Sequence, residues 1–455
     1  MEDLVKRQRQ FFLQHQTKTY EFRRLQLDRL ENAVLKHQLA LSQALRADLG
    51  KPDVEAYGME IDPLLKEIRL AKKHLLKWMS PQNVSTPFFL TPAKSRIYRE
   101  PLGVVLIIAP WNYPLYLTLS PLVGAIAAGN CAVIKPSELS LNTTRVLALL
   151  IRDTFATEYV TLIEGGVNEA RELLKLKFDH IFFTGSTHVG KSVLKAAAET
   201  LTPVTLELGG KSPVFVCESA KIDQAARKIA WGKFLNAGQS CIAPDYLYVH
   251  EKIAPEFTSK VLACIQSFYG DEPRKSESFG RIINERHFTR LTSLIANGKT
   301  LTPWANDRAS RFFAPTVLND VSWDDPVMKE EVFGPILPIL TFSDLSSAFN
   351  EVRNQEKPLS AYLFSENKSE HQLFTETLSF GGGCINDTVI HTGNPYLPFG
   401  GVGASGIGAY HGEFSFHTFS HAKSVIAKGQ FLDLAVRYPP YTEKNLRWLR
   451  RFLRM

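Results

Sequence analysis

The chain has 455 residues, of which 44% are hydrophobic and 22% are charged, a composition typical of a globular protein with two or three domains. No apolar run approaches the ~20 residues that cross a bilayer, and the polar residues 1–10 do not form a signal peptide. The five cysteines are widely spaced and contain no C-x-x-C pair. They argue against a disulfide framework or a zinc site and predict a reducing, cytoplasmic location.

The net charge of +7 is concentrated at the C-terminus, where residues 443–455 hold five basic residues and one acidic residue, or +4. The rest of the chain has no basic stripe with interleaved aromatics, so we expect no nucleic-acid partner. The tail, residues 431–455, ends in a predicted amphipathic helix with cations on one side and Leu446, Trp448 and Leu449 on the other. Such a helix can lie on an anionic membrane or dock on the protein body or a partner subunit, and the sequence leaves both open.

Residues 4–49 and 54–79 show apolar residues at three- and four-residue steps, which predicts two amphipathic helices whose role is packing. Residues 50–52 (GKP) end the first of them. Residues 80–103 are rich in Pro, Ser and Thr, and within them residues 95–99 are a predicted exposed strand. This segment leads out of the first domain.

Short apolar strands then alternate with helices, which predicts a parallel sheet covered on both faces. A second strand–helix series follows, with residues 252–300 predicted as mostly helical and residues 380–412 as glycine-rich active-site loops. The strands predicted for the two series are residues 104–108, 131–134, 160–163, 180–183, 204–206, 213–217, 246–249 and 336–340.

Polar groups follow four strands of the first series: Asn112, Lys135, the Gly185–Ser186 turn and Glu207. Ligands bind beyond the carboxyl ends of parallel strands, so we expect these groups to share one edge of one sheet. The turn precedes a predicted helix, and free backbone N–H groups at a helix N-terminus favour a phosphate.

A lone cysteine, Cys241, closes a small polar loop over residues 236–241 (NAGQSC). A thiolate is a strong nucleophile, and a carboxylate such as Glu207 within one water of it can serve as a general base. The pair suits chemistry in which an acyl group forms on sulfur and is released to water. The other four cysteines, Cys131, Cys217, Cys264 and Cys384, are interpreted as packing residues.

Two motifs suggest other functions, nucleotide hydrolysis and metal binding. Residues 185–192 (GSTHVGKS) fit the phosphate loop of nucleotide triphosphatases. However, this segment follows the fourth strand of its series, and no later strand ends in an Asp that could bind magnesium. A nucleotide triphosphatase would also leave Glu207 and Cys241 without a role. His417 and His421 have the spacing of a metal pair without a third ligand, so we expect no metal.

Seven short motifs follow one another along the chain. They are residues 110–114 (PWNYP), 135–138 (KPSE), 183–186 (FTGS), 206–213 (LELGGKSP), 238–241 (GQSC), 331–335 (EVFGP) and 398–403 (PFGGVG). In this set the chain resembles the aldehyde dehydrogenase superfamily. Residues 241–246 (CIAPDY), 409–416 (AYHGEFSF) and 437–440 (RYPP) resemble its class 3, fatty and aromatic aldehyde, branch. Ala404 departs from the Asn of many relatives.

The resemblance implies an α/β fold with a Rossmann-like parallel-sheet cofactor domain, an α/β catalytic domain and a small β dimerisation element. The boundaries it implies are 1–84 for the helical N-terminal part of the cofactor domain, 85–100 for an arm strand, 101–208 for the NAD(P)-binding domain, 209–395 for the catalytic domain, 396–430 for active-site loops and a dimerisation strand, and 431–455 for the basic tail. It also implies a homodimer, with strands near 95–99 and 414–427 as candidates for the exchange.

The same resemblance implies the roles of individual residues. Cys241 attacks the aldehyde carbon, the Asn112 amide holds the oxyanion, and Glu207 activates the water that releases a carboxylic acid. The implied cofactor is NAD, with NADP as a second possibility, held by Lys135, Glu138, Gly185, Ser186, Gly190, Glu331 and Phe333. Two alternatives remain: an enzyme that releases the acyl group to a thiol such as coenzyme A, and a cofactor-binding protein without catalysis.

Overall fold

Two six-stranded sheets and one three-stranded sheet form the framework of the computed structural model, which describes residues 1–295 and 300–452. The strands in chain order are β1 (Gln82–Val84), β2 (Ala93–Pro101), β3 (Val104–Ile108), β4 (Cys131–Lys135), β5 (Val160–Leu162), β6 (His180–Thr184), β7 (Val204–Glu207), β8 (Pro213–Val216), β9 (Tyr246–His250), β10 (Thr316–Leu318), β11 (Ile336–Phe342), β12 (Ser360–Phe364), β13 (Gly382–Ile385), β14 (Gly406–Ile407) and β15 (Ser420–Lys428).

Sixteen α-helices lie within the described residues. In chain order they are α1 (Glu2–Leu13), α2 (Tyr20–Leu49), α3 (Asp53–Ala56), α4 (Asp62–Met79), α5 (Tyr116–Ala128), α6 (Leu141–Thr154), α7 (Val167–Leu174), α8 (Thr187–Ala198), α9 (Ile222–Phe234), α10 (Ala254–Tyr269), α11 (Glu285–Leu294), α12 (Pro326–Lys329), α13 (Leu345–Arg353), α14 (Lys368–Thr377), α15 (Gly412–Thr418) and α16 (Glu443–Phe452).

The N-terminal helices pack on the first large sheet, but they are more interrupted than the apolar periodicity predicts. The single helix expected over residues 4–49 is two, α1 and α2, because His15 adopts a left-handed φ of 63° and Thr19 caps α2 by accepting the Phe22 N–H. The second expected helix is divided into α3 and α4 by the π-helical turn Tyr57–Ile61, a distortion often found near functional sites.

The first large sheet has the order β14-β7-β6-β3-β4-β5, and β3 to β7 run parallel. Ile108 at the end of β3 pairs with Lys135 and Phe183, and Thr184 pairs with Glu207. This register aligns the carboxyl ends of the strands along one edge. The short strand β14 comes from the glycine-rich loops and runs antiparallel to β7, a pairing that the sequence did not predict.

The second large sheet, β10-β11-β9-β8-β12-β13, is parallel throughout and lies between residues 213 and 385. Residues 252–300, expected to be mostly helical, contain α10 and α11, with a non-helical stretch and a 3-10 turn between them. Residues 296–299 of that prediction lie outside the described residues. Each large sheet has its own apolar core of buried side chains.

The third sheet is an antiparallel arm of order β1-β2-β15. Strand β1 starts at Gln82, inside the range assigned to the N-terminal helical part. The prediction of a strand over residues 414–427 is wrong in its first half. Residues 412–418 form α15, whose Phe416 is buried. After β15 the chain reaches α16, where Leu446 and Trp448 are exposed and Leu449 is half-buried. The predicted tail residues 453–455 lie outside the described residues.

Among the described residues, we find no helix with the length and apolar character needed to span a membrane.

Candidate active site

The loop that presents Cys241 is held in an unfavourable backbone conformation. Asn236 and Ala237 have left-handed φ angles of 51° and 52°, each costing about 1–3 kcal/mol in a non-glycine residue. Gln239 compensates by donating to the carbonyls of Asn236 and Arg281, both at 3.0 Å, and by accepting the Ile283 N–H at 3.0 Å. The loop is therefore fixed, and the thiol emerges at a defined point.

Asn112 lies in the loop after β3 and is 3% exposed. Its Nδ2 donates to the backbone oxygen of Gln239 at 3.1 Å, which ties the amide to the cysteine loop. A primary amide carries two N–H donors, so the second is free to point into the cavity that Asn112 and Cys241 both line. The backbone N–H of Cys241 faces its own sulfur atom and can provide a second donor at the same place.

Glu207 ends β7 and is 2% exposed. The Cys241 thiol and the Thr184 hydroxyl face its carboxyl group, yet neither carboxyl oxygen makes a hydrogen bond of standard geometry. Burial raises the pKa of Glu207 to about 8, and the two facing groups lower it only in part. An underpartnered buried carboxyl beside a thiol is poised to exchange a proton near neutral pH.

The Cys241 thiol is also perturbed. Its pKa is raised well above the usual range, first by burial and then by the carboxyl groups of Glu207 and Glu331. The resting sulfur therefore carries its proton at neutral pH. A positive charge brought into the neighbouring cavity by a ligand opposes the effect of the two carboxylates and favours the thiolate.

Cys241 lies at the junction of two cavities. The larger cavity, of about 400 Å³, is lined by Asn112, Gly185, Ser186, Glu207, Glu331 and Phe333, among others. The smaller cavity, of about 240 Å³, runs on the other side of the sulfur and is walled largely by aromatic and aliphatic side chains. One thiol is thus accessible to two different ligands at once.

The larger cavity fits a nicotinamide dinucleotide. Helix α8 starts at its wall, with Thr187 and His188 in the lining, and the N–H groups of a first helical turn lack intrahelical partners and attract a pyrophosphate. At Gly185 a Cβ would lie 2.6 Å from the Phe183 ring, so a side chain does not fit there. The backbone at Gly185 can therefore contact a ligand directly. The ring of Phe333 stands edge-on to Trp111 at 5.3 Å and forms an apolar wall.

Glu331 is placed in the larger cavity by the loop before β11. Its carboxyl oxygen lies so close to Gly209 that a Cβ there would meet it at 2.2 Å. Arg290 holds the loop by donating to the carbonyls of Glu331 at 3.2 Å and Val332 at 2.6 Å. Burial, reinforced by Asp245, raises the pKa of Glu331 to about 8.

Three of the predicted cofactor residues lie outside the lining of the larger cavity. Lys135 is 2% exposed at the end of β4, where its Nζ donates to the Pro136 carbonyl at 2.6 Å and lies 3.8 Å from Glu138. Gly190 is buried within α8, and a Cβ there would lie 2.7 Å from Leu208. Gly190 therefore allows α8 to pack on Leu208, and it offers no surface to the cavity.

The phosphate-loop match over residues 185–192 begins at the larger cavity, but its lysine does not reach it. Lys191 is exposed on α8 and does not line the larger cavity. Ser186 instead caps α8 by accepting the Val189 N–H at 3.4 Å. The segment is thus a helix start facing a dinucleotide site.

Several polar residues of the smaller cavity and its wall were not predicted from sequence. Tyr116 Oη lies 3.2 Å from His411 Nε2, and burial lowers the pKa of His411 to about 3. Glu67 accepts the Gly412 N–H at 2.6 Å, and burial raises its pKa to about 7. The partners of His411 and Glu67 lie far away along the chain and leave no local sequence pattern.

The described part of the chain contains no group of three potential metal ligands. His417 lies 3.7 Å from Glu413, and His421 pairs with Glu100 in the register of β15 and β2. Of the other cysteines, Cys131 and Cys217 are buried and belong to the two apolar cores.

Comparison with known proteins identifies the family of this chain. The model of the aldehyde dehydrogenase family matches residues 1–425. The chain is 50% identical over 436 residues to the 4,4'-diaponeurosporen-aldehyde dehydrogenase of Staphylococcus aureus, with 95% of each protein covered. It is 44% identical over 444 residues to the dimeric NADP-preferring aldehyde dehydrogenase of Rattus norvegicus, covering 97% of this chain and 98% of that protein.

Among solved structures, the substrate-bound state of Staphylococcus aureus AldH superposes with a TM-score of 0.97 at 48% identity and covers 99% of both chains. The chain therefore belongs to the aldehyde dehydrogenase family. It is an NAD(P)-dependent aldehyde dehydrogenase with the α/β, Rossmann-like fold of that family.

Proposed function

We propose that this enzyme oxidises medium- or long-chain aliphatic or aromatic aldehydes to carboxylic acids on the sulfur of Cys241. The observation that carries the proposal is that Cys241 lines both cavities, so that an aldehyde entering through the smaller one meets the cofactor across the thiol. The apolar side chains of the smaller cavity include Met59, Leu117, Trp231, Leu235, Ile242, Val389 and Phe399. Initial rates for a series of aldehydes of increasing length test it.

In the first half-reaction the Cys241 thiol gives up its proton to solvent, and sulfur attacks the carbonyl carbon. The carbonyl oxygen takes up the electron pair and receives hydrogen bonds from Asn112 Nδ2 and the Cys241 N–H. Donors of this kind contribute about 3–4 kcal/mol each to the transition state. A nicotinamide cofactor held in the larger cavity by residues such as Gly185, Ser186 and Glu331 would supply the hydride acceptor for this carbon. A thioester on Cys241 would remain.

In the second half-reaction Glu207 acts as a general base. Its carboxylate takes a proton from water as the water oxygen attacks the thioester carbon, and the carbon–sulfur bond breaks to give the carboxylic acid and free Cys241. The burial of Glu207 beside the sulfur favours water over a thiol as the acceptor of the acyl group, which supports the dehydrogenase over the coenzyme A-acylating alternative.

The hydrolysis step should depend on pH through Glu207. Only its carboxylate can accept a proton, and this form is lost as the pH falls through its pKa of about 8. An acyl-enzyme formed from an activated ester without cofactor is therefore expected to hydrolyse faster as the pH rises through about 8 and to level off above it. Rapid-quench measurement across this range checks the profile, and a flat profile would contradict the role of Glu207.

The smaller cavity should set the chain length of the aldehyde. Gly58 lines it, is exposed, and has no atom within 4 Å of a built Cβ, so a large side chain there fits without a backbone clash. We expect Gly58→Trp to lower kcat/KM for long-chain aldehydes by ~10-fold or more, equivalent to ~1.4 kcal/mol, and to spare short ones. Gly58→Ala is the matched control, and equal losses at all chain lengths contradict the prediction.

Lys135 and Glu138 are proposed to hold the adenosine ribose beyond the larger cavity. They stand at the end of β4, next to β3 on the same sheet edge. The Glu138 carboxylate repels a 2′-phosphate wherever it meets the ribose directly, which favours NAD. The name of the rat relative states a preference for NADP, so both cofactors belong in the rate measurements.

We infer a homodimer built on the three-stranded arm. Strand β15 is an edge strand whose residues from 421 to 428 are exposed, including Val425 and Ile426. A long exposed edge with apolar side chains is a template for pairing with another chain. The name of the rat relative describes that protein as dimeric.

We also propose that α16 contacts an anionic membrane surface. Leu446 and Trp448 are exposed beside the exposed cations Arg447, Arg450 and Arg451, a combination that binds anionic lipid interfaces. We expect the full chain to co-sediment with vesicles containing anionic lipid and a chain ending at Tyr441 to stay in solution. Equal partitioning of the two would instead support docking of α16 on the protein.

A further inference from the structure

Three charged side chains between residues 51 and 60 point from the N-terminal helices toward the catalytic loops. Lys51 and Glu60 have no exposed surface at all and form an ion pair with each other. A buried ion pair is seldom a net source of stability, because both groups lose their hydration. Packing alone therefore does not account for Lys51 and Glu60, and their contacts show what else they do.

Lys51 and Glu60 both form hydrogen bonds to the loop that carries Asn112. Lys51 Nζ donates to the backbone oxygen of Asn112 at 3.1 Å and lies 4.1 Å from the centre of the Tyr113 ring. Glu60 accepts the backbone N–H groups of Leu115 at 2.9 Å and Tyr116 at 3.2 Å. The loop is held at its centre by a cation and at its far end by a carboxylate.

Glu55 forms a hydrogen bond to the loop that carries Cys241. It accepts the backbone N–H of Asn236 at 2.9 Å, the first of the left-handed residues before Cys241. The Asn236 side chain in turn donates to the backbone oxygens of Asn112 at 2.9 Å and Gln239 at 3.2 Å. The Asn112 carbonyl thus receives one hydrogen bond from Lys51 and one from the cysteine loop.

We propose that Lys51, Glu55 and Glu60 are positioning residues that fix the Asn112 amide and the Cys241 N–H at the spacing needed to hold the oxyanion. The inference rests on the proposed function of Asn112 and Cys241. The three residues touch neither ligand cavity's reacting atoms; they act through the backbone of Asn112 and Asn236. Catalysis is sensitive to such support, because a displacement of about 1 Å can reduce a rate ~100-fold.

The test is a double-mutant cycle on the acylation step. The paired variant Lys51→Met/Glu60→Gln removes the donor to Asn112 without leaving a buried charge unpaired. We expect it to slow the burst of reduced cofactor by ~10- to 100-fold, with the Kd for NAD within about twofold of the parent because the cofactor cavity is intact. In an Asn112→Ala background, the same pair is expected to slow the burst by less than about twofold, since the group it positions is gone.

Effects that multiply across the cycle would overturn the proposal, as would a paired variant that loses thermal stability while its burst rate stays unchanged. Glu55 gives an independent test that does not require replacing a fully buried pair. Glu55→Ala is expected to slow the burst, and Glu55→Gln, which keeps an acceptor oxygen for the Asn236 N–H, is expected to restore it. Equal burst rates in both variants contradict the role of Glu55. Full turnover in Cys241→Ala, by contrast, would remove the proposed function itself.

Discussion

Replacing Cys241 with alanine is expected to reduce aldehyde oxidation by a factor of at least ~10⁴, as loss of a covalent nucleophile does in other enzymes. The thiol lies where the two cavities meet, so no thioester can form without it. Steady-state formation of reduced cofactor measures the loss. Because alanine removes only a sulfur atom and its proton, the Kd for NAD should stay close to that of the parent enzyme.

The matched control is Cys264→Ala. Cys264 lies on α10, partly buried against the second apolar core and outside both cavities, so its replacement should leave kcat/KM within about twofold of the parent, as surface-proximal substitutions usually do. If Cys241→Ala kept more than a tenth of the parent rate, the covalent mechanism would be wrong.

Replacing Glu207 with glutamine is expected to separate the two half-reactions. Glutamine has the shape of the carboxyl group but cannot take a proton from water, so the thioester forms and is hydrolysed slowly. We expect a burst of one equivalent of reduced cofactor per site, followed by a steady state slower by ~10²- to 10⁴-fold, the usual contribution of a general base. Stopped-flow absorbance records both phases.

Two results for Glu207→Gln would contradict the role of Glu207 as the general base of hydrolysis. A full steady-state rate would show that another group activates the water, and the absence of any burst would place Glu207 in the first half-reaction. Glu207 is buried, and Thr184 and Cys241 face its carboxyl group, so Thr184→Val provides a control for a change in its surroundings. It removes one polar neighbour, retains the base, and is expected to retain turnover after the burst.

The residues at the sheet edge could be predicted because parallel strands leave a simple signal. Each apolar run of β3, β4, β6 and β7 is followed by a polar group within a few residues, and the observed register brings the strand ends into line. Asn112 and Glu207 were found in this way. Cys241 was found because a lone cysteine in a small polar loop stands out from its surroundings.

The supports of the site left no comparable signal. Lys51 lies in the link between α2 and α3, and Glu60 lies in the π-helical turn Tyr57–Ile61. Their contacts with residues 112–116 join positions more than 50 apart in the chain. The pairing of β14 with β7 is equally non-local. Gly190, which the family resemblance implied as a cofactor residue, packs against Leu208, a contact that no local pattern indicates.

The most direct test of the whole mechanism is the mass of the Glu207→Gln enzyme after reaction with a long-chain aldehyde and NAD. We expect a protein heavier by the acyl group in place of one hydrogen, with the added mass on the peptide that contains Cys241. Reduced cofactor formed without any adduct, or with the acyl group on a different residue, would contradict it.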